Sequence, residues 1–229
     1  MTSSGDVWYD GDMTHDHPLI VVEGIDASGK ATLCKALSRL YGARVFSFPN
    51  YKTQTGKALL GHLKGEWYAA RCPEGVWLNS LVRQALMTAN RCEMQSALID
   101  ALNLSPVVCD RYTLSAEAYG VAEGLDGDFI RRLSAPLLKP DATIVLDLPV
   151  EEVAKRRPQA RDTNERDLKL LSAAAKNYRD IAAQRGYCVI DATLSPVEVV
   201  RLAVAYIERV TGFRPSISAS AMWRKENGL

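Results

Sequence analysis

No stretch of this 229-residue chain stays apolar for the roughly 18 residues that a membrane-spanning helix requires. An excess of one charge is also missing: 28 Lys and Arg stand against 27 Asp and Glu, a net charge of +1. Non-specific binding to nucleic acid or to an anionic membrane surface therefore has no electrostatic basis. Cysteine is sparse and unpatterned. Cys34, Cys72, Cys92, Cys109 and Cys188 are odd in number, dispersed and free of C-x-x-C spacing. That set reads as reduced thiols of a cytoplasmic protein and argues against a zinc site. No internal repeat is present. Residues 1–17 are polar and acidic, unlike a signal or transit peptide, and read as a flexible tail that includes His15 and His17.

With 47% hydrophobic residues, the chain can fill one sizeable core but not two large ones. Short apolar runs alternate with helical patterns. Leu19–Glu23, Arg44–Phe48, Val107–Asp110, Thr143–Leu148 and Tyr187–Asp191 read as strands. Residues 30–41, 55–65 and 74–102 read as helical, the last one long enough to be broken. Continuous rather than alternating apolar runs suit a parallel sheet covered on both faces. The expected fold is α/β, a five-stranded parallel sheet with helices on both sides, joined by right-handed crossovers. Ser195-Pro196-Val197-Glu198 supplies an N-cap, a first-turn proline and a capping-box glutamate. Two apolar stripes follow helical spacing: Val199, Leu202, Ala203 and Tyr206, and Leu168, Leu171, Ala175, Tyr178 and Ala182. Both read as core-facing, without a functional role. Residues 212–229 read as a mobile C-terminal tail that includes Trp223.

The most informative segment is Gly24-Ile25-Asp26-Ala27-Ser28-Gly29-Lys30. It follows a strand and opens a helix, the context in which G-x-x-x-x-G-K cradles phosphates. Its glycines permit a tight turn that aims backbone N–H groups inward. The following helix adds about half a positive charge at its N-terminus. Gly24, Ala27, Ser28, Gly29, Lys30, Ala31 and Thr32 form the expected ATP phosphate cradle. One position is irregular: Ala31 stands where a metal-binding Ser or Thr is usual, and Thr32 points about 100° away around the helix.

Ligands in open α/β sheets sit beyond the carboxyl ends of the strands, so residues following each strand should converge. These are Phe48, Tyr51 and Lys52 after the second strand, and Asp110, Arg111, Ser115 and Tyr119 after the third. Arg156, Arg157 and Arg161 follow the fourth, in a stretch that reads as a closing lid over about residues 156–165. Asn90-Arg91 lies within the long helix. This basic, aromatic set suits phosphoryl transfer between two anions, where cations relieve charge repulsion. Asp110 is placed to hold a metal ion, and Arg91 and Arg111 to grip an acceptor phosphate. For any one of these arginines taken alone, a surface salt bridge is the competing reading.

Val22-Glu23-Gly24-Ile25-Asp26, Asn90-Arg91 and the run Asp110 to Tyr119 (DRY-x-x-S-x-x-A-Y) resemble thymidylate kinase, a P-loop nucleoside monophosphate kinase family. Phe48-Pro49 with Thr53 and Gly56-Lys57, and Leu146-Asp147-Leu148 followed by Lys155-Arg156-Arg157, extend the likeness over roughly residues 18–210, a single kinase domain of about 18–211. The resemblance implies transfer of the ATP γ-phosphoryl group to a deoxynucleoside 5′-monophosphate, with Mg2+, in a homodimer. It implies that Asp26 contacts the acceptor sugar and that Arg91 and Arg111 contact its phosphate or base. Tyr119 would pack beside the sugar and disfavour a 2′-hydroxyl. The acceptor set becomes Asp26, Phe48, Tyr51, Lys52, Met87, Asn90, Arg91, Arg111, Ser115 and Tyr119. The catalytic set becomes Lys30, Arg111, Arg156, Arg157 and Arg161, with the arginine of the phosphate loop replaced by Ala27 and supplied by the lid.

Tyr51 stands where many members carry an arginine. Met87 stands where a phenylalanine often stacks on thymine, and Gly120 where a polar side chain is frequent. The base is therefore open: thymine first, then uracil, a modified pyrimidine or a purine. A deoxynucleoside kinase would need a carboxylate base, for which Glu23 is the candidate. A GTPase lacks its N-K-x-D motif here. A nucleotide-binding module without catalysis finds support only in Ala31.

Overall fold

The computed structural model describes residues 15–66, 76–156 and 165–228. Five parallel strands form one sheet: β1 (Leu19–Gly24), β2 (Arg44–Ser47), β3 (Val107–Asp110), β4 (Ala142–Asp147) and β5 (Cys188–Asp191), in the order β2-β3-β1-β4-β5. Ten helices connect or flank them among the described residues. They are α1 (Lys30–Tyr41), α2 (Gln54–Leu63), α3 (Val76–Glu93), α4 (Gln95–Leu102), α5 (Thr113–Ala122), α6 (Gly127–Ser134), α7 (Val150–Arg156), α8 (Glu165–Arg185), α9 (Pro196–Thr211) and α10 (Ile217–Glu226).

The central strand explains the sequence pattern. Along β1, Ile20 and Val22 enter the core shared with α1, α5, α8 and α9, while Leu19 and Val21 enter a second core with α4, Phe48 and Tyr112. All four are buried, and each stabilises the fold by about 1.5–3 kcal/mol. A strand buried on both faces has no polar side to alternate. β2 and β5 are the sheet's edges, and several of their residues are exposed.

Local signals explain most boundaries. Thr53 caps α2 by accepting from the Gly56 N–H, and Ser195 caps α9 by accepting from the Glu198 N–H. The Glu198 carboxylate turns to Arg201 instead of completing the capping box. Gly186 ends α8 in the left-handed region, with φ 66. The long helical stretch breaks at Met94 into α3 and α4. The expectation of a mobile C-terminal tail is corrected over 217–226. There α10, capped by Ser216, lies on α1, with Trp223 packed against the main core and Glu226 paired to Arg39 at 3.6 Å. A ten-residue helix with one anchoring aromatic carries too little apolar periodicity to be read from sequence. The N-terminal tail is described only from His15, whose imidazole lies 3.7 Å from Asp141.

Candidate active site

Gly24 ends β1 with φ 138, and a Cβ there would sit 2.5 Å from the Leu146 carbonyl oxygen. No other residue type fits, so the phosphate loop begins at a position that only glycine can occupy. Ala27 and Gly29 also have positive φ, 61 and 95. Together they curl Ile25 to Gly29 into a cradle that opens into α1. Lys30 is the first residue of α1. It is buried, and its ammonium donates to the Ile25 carbonyl at 2.7 Å. Burial lowers its pKa to about 8, the nearby Arg111 adds to this, and Asp110, Asp26 and Glu23 oppose it. Ser28 is buried within the loop, while Ala31 and Thr32 are exposed on the first turn. Ala31 offers no ligand atom.

The second half of the site comes from β3. Val22 and Asp110 are register partners in the parallel β1–β3 ladder, so the residues after both strands meet at one crevice. Arg111 takes a left-handed conformation, φ 67, and its amide donates to the Val22 carbonyl at 2.9 Å. Its guanidinium donates to Asp26 at 2.6 Å, to the Tyr178 hydroxyl at 3.2 Å and to Ser115 at 3.3 Å, and lies 5.4 Å from the Tyr119 ring centroid. Burial opposes its charge, but Tyr178, Tyr119, Asp26 and Glu23 outweigh burial and push its pKa up.

Glu23 organises this turn. It is fully buried and accepts from the Tyr112 amide at 2.7 Å, the Ser115 amide at 3.1 Å, the Ser115 hydroxyl and the Tyr178 hydroxyl. The hydroxyl of Ser115, expected at the acceptor nucleotide, donates to Glu23, shares a hydrogen bond with Tyr178 and accepts from Arg111, and so supports Arg111. Tyr178, read from sequence as core, ties α8 to this cluster. A single tyrosine within an apolar helical stripe is an ordinary core pattern, and only the buried carboxylate on β1 reveals its polar task.

Asn90, also expected at the nucleotide, holds the loop after β2. Its amide group donates to the Asn50 carbonyl, the Thr53 hydroxyl and the Thr55 hydroxyl, and its carbonyl accepts from the Asn50 amide at 2.8 Å. Glu93 accepts from the Gln54 and Thr55 amides one turn later. Gly56 lets this loop close, because a Cβ there would lie 1.9 Å from the Asn50 carbonyl oxygen. Phe48 is buried against Tyr112, with ring centroids 5.5 Å apart, and supports the loop from below. Tyr51 is exposed at the rim. Partial burial and then Asp26 raise its pKa, with Arg111 opposing, so it shares the crevice with that pair. Lys52 is exposed beside it.

On α3, Arg91 is buried and Met87 half-buried. Burial lowers the Arg91 pKa, with Glu23, Tyr112 and Tyr178 opposing and Arg111 adding to the lowering. Arg156, at the end of α7, donates to the Ala27 carbonyl at 3.2 Å and to the Ala192 carbonyl at 2.7 Å. It thus joins the phosphate loop to the segment after β5. Arg157 and Arg161 lie outside the described residues.

No group of three or more His, Cys, Asp or Glu among the described residues could hold a metal ion unaided. Magnesium asks for less: it keeps several waters and needs one or two carboxylates beside substrate phosphates. Asp110 fits that demand. Burial raises its carboxyl pKa against the pull of Lys30 and Arg111, and a divalent cation would restore its charge.

A family model described as thymidylate kinase matches residues 22–203. The thymidylate kinase of Coprothermobacter proteolyticus is 34% identical over 190 residues, covering 80% of this chain and 94% of the relative. That of Schizosaccharomyces pombe is 31% identical over 205 residues, covering 84% and 92%. A solved structure of thymidylate kinase from Candida albicans superposes with a TM-score of 0.68 at 24% identity, over 86% of this chain and 93% of that one. At that identity the superposition speaks for the fold. No described helix is long and apolar enough to cross a membrane.

Proposed function

The chain belongs to the thymidylate kinase family, and on that footing we propose that it transfers the γ-phosphoryl group of ATP to dTMP, yielding dTDP and ADP. The observation that carries the chemistry is the meeting of Lys30 and Arg111. One opens α1 and the other follows β3, yet each lies in the other's field, and their repulsion helps depress the Lys30 pKa. Two cations confined in one crevice suit a site where two phosphate groups meet.

In this reading the N–H groups of residues 27–30 and the Lys30 ammonium hold the β- and γ-phosphates of ATP. Arg111 grips the acceptor phosphate through its forked donors and orients the attacking oxygen in line. Asp26 faces the acceptor sugar, and Tyr119 packs beside it. Tyr51, Lys52 and Arg91 complete the acceptor side. Phe48, Asn90 and Ser115 act through the groups they position. Arg156 closes on the phosphate loop, and Arg157 and Arg161 belong to a lid over about 156–165. Magnesium carried in with ATP would neutralise the transferring group's charge, with Asp110 as its protein carboxylate. A homodimer and a cytoplasmic location belong to the same proposal. The single kinase domain would span residues 18–211.

Glu23 bears on the nucleoside kinase reading. With four donors on its two oxygens, inside the protein, it is poorly placed to take a proton from a 5′-hydroxyl. Supplying ATP and magnesium with thymidine, dTMP, dUMP, dCMP and dGMP in turn, and following ADP, tests the proposal. Turnover with dTMP is expected. Turnover with thymidine alone would overturn it.

A further inference from the structure

A cavity of about 440 Å³ opens between α5, α6, the connection into β4 and the end of α8. None of the residues assigned to the crevice above lines it. Its wall is apolar: Ile130, Leu137 and Leu138 are all buried. Its rim is basic, with Arg131, Lys139 and Arg185 against a single lining carboxylate, Glu117. Glu117 is buried and committed to Arg185, whose guanidinium donates to both its oxygens at 2.6 and 2.7 Å. Arg131 lies 4.0 Å from Glu117 and pairs with Asp128 at 2.6 Å. Lys139 is exposed and pairs with no carboxylate among the described residues. A volume of this size holds a few side chains, not a folded partner.

The chain itself carries a segment of matching chemistry. Residues 1–14 contain Asp6, Asp10 and Asp12 and no Lys or Arg. Trp8 and Tyr9 stand between the first two of these aspartates. Two aromatic rings flanked by carboxylates complement an apolar wall with a cationic rim. The first described residue also lies beside the cavity. His15 is 3.7 Å from Asp141, and Asp141 directly follows Pro140, which lines the cavity. The seven residues from His15 back to Trp8 span at most roughly 25 Å. A segment tethered this closely has an effective concentration on the order of millimolar, an advantage no separate partner has.

We propose that residues 6–12 dock into this cavity of their own chain. Trp8 and Tyr9 lie against Ile130, Leu137 and Leu138, and the aspartates lie beside Lys139, Arg131 and Arg185. The contact fastens together α5, the α6–β4 connection and the end of α8. It is independent of the transfer chemistry above.

Photocrosslinking in the full chain tests this, with benzoylphenylalanine in place of Trp8 and the joined peptides identified by mass spectrometry. Bonds to residues 130–140 or 185–187 of the same chain are expected. Their yield should fall severalfold in Arg131→Glu with Lys139→Glu, and recover in part when Asp6, Asp10 and Asp12 are changed to Lys as well. It should also fall in 1 M salt, where the screening length shrinks to about 3 Å. Bonds elsewhere on the chain, bonds joining two chains, or no bond at all would overturn the docking. Hydrogen exchange gives a second reading that needs no change in the folded domain. Trp8→Ser with Tyr9→Ser should speed exchange in residues 130–140 and 185–187. Exchange there at the wild-type rate would overturn the docking even if the charge-reversed variants failed to fold.

Discussion

Arg111 donates to Asp26 at 2.6 Å although 85 positions separate them in the chain. Parallel pairing of β1 with β3 brings their loops together, and the left-handed turn at Arg111 swings the guanidinium over the phosphate loop. Asp26 keeps this cation oriented in the crevice, while Tyr178 and Ser115 hold its other nitrogen.

Replacing Arg111 with Ala should therefore lower kcat/KM for the acceptor by orders of magnitude and leave ATP affinity nearly intact. Arg111→Lys should recover only part of the loss, because a point charge lacks the fork. Steady-state kinetics with each substrate varied checks this. A collapse of ATP affinity would refute the acceptor-side role.

Lys30 gives two pH trends of opposite sign. In the folded chain it loses its proton near pH 8, against an ordinary value of 10.5. Between those values the unfolded chain holds more protons, so the contribution of Lys30 to stability rises with pH across that window. ATP needs the ammonium, so its affinity should be flat below pH 8 and fall above it. Calorimetric titrations from pH 6.5 to 9.5 should show the fall, and Lys30→Met should bind weakly with no such slope.

Tyr178→Phe removes one hydroxyl shared by Glu23, Ser115 and Arg111. It leaves a buried carboxylate short of a donor, so thermal unfolding should show a loss of about 1–3 kcal/mol. The KM for the acceptor should rise as Arg111 loses a support. An unchanged Tm and KM would make Tyr178 simple packing.

β1, β3 and β4 were legible because they are buried on both faces, and Gly24 and Lys30 because their spacing has one physical use. The supporting contacts of Asn90 and Ser115 were not legible. Their partners, Asn50, Thr53 and Thr55 for one and Glu23 for the other, come together only in the fold. Tyr178 was hidden by its apolar neighbours, and α10 by the lack of a helical apolar stripe in residues 217–226. The break at Met94 carries no glycine or proline to announce it.

Ala31 lies exposed at the first turn of α1, where a hydroxyl would meet little resistance. Ala31→Ser should preserve or raise the rate and lower the magnesium concentration needed for half-maximal activity. A large loss without misfolding would show that the site is adapted to alanine.

Phosphoryl transfer in this crevice requires two phosphate groups to meet between Lys30 and Arg111. Chromatography of a mixture of ATP, magnesium and dTMP after incubation with the enzyme measures this most directly. dTDP and ADP are expected in equal amounts, with dTDP lost in Arg111→Ala. ADP forming without dTDP, or equal dTDP from Arg111→Ala, would contradict it.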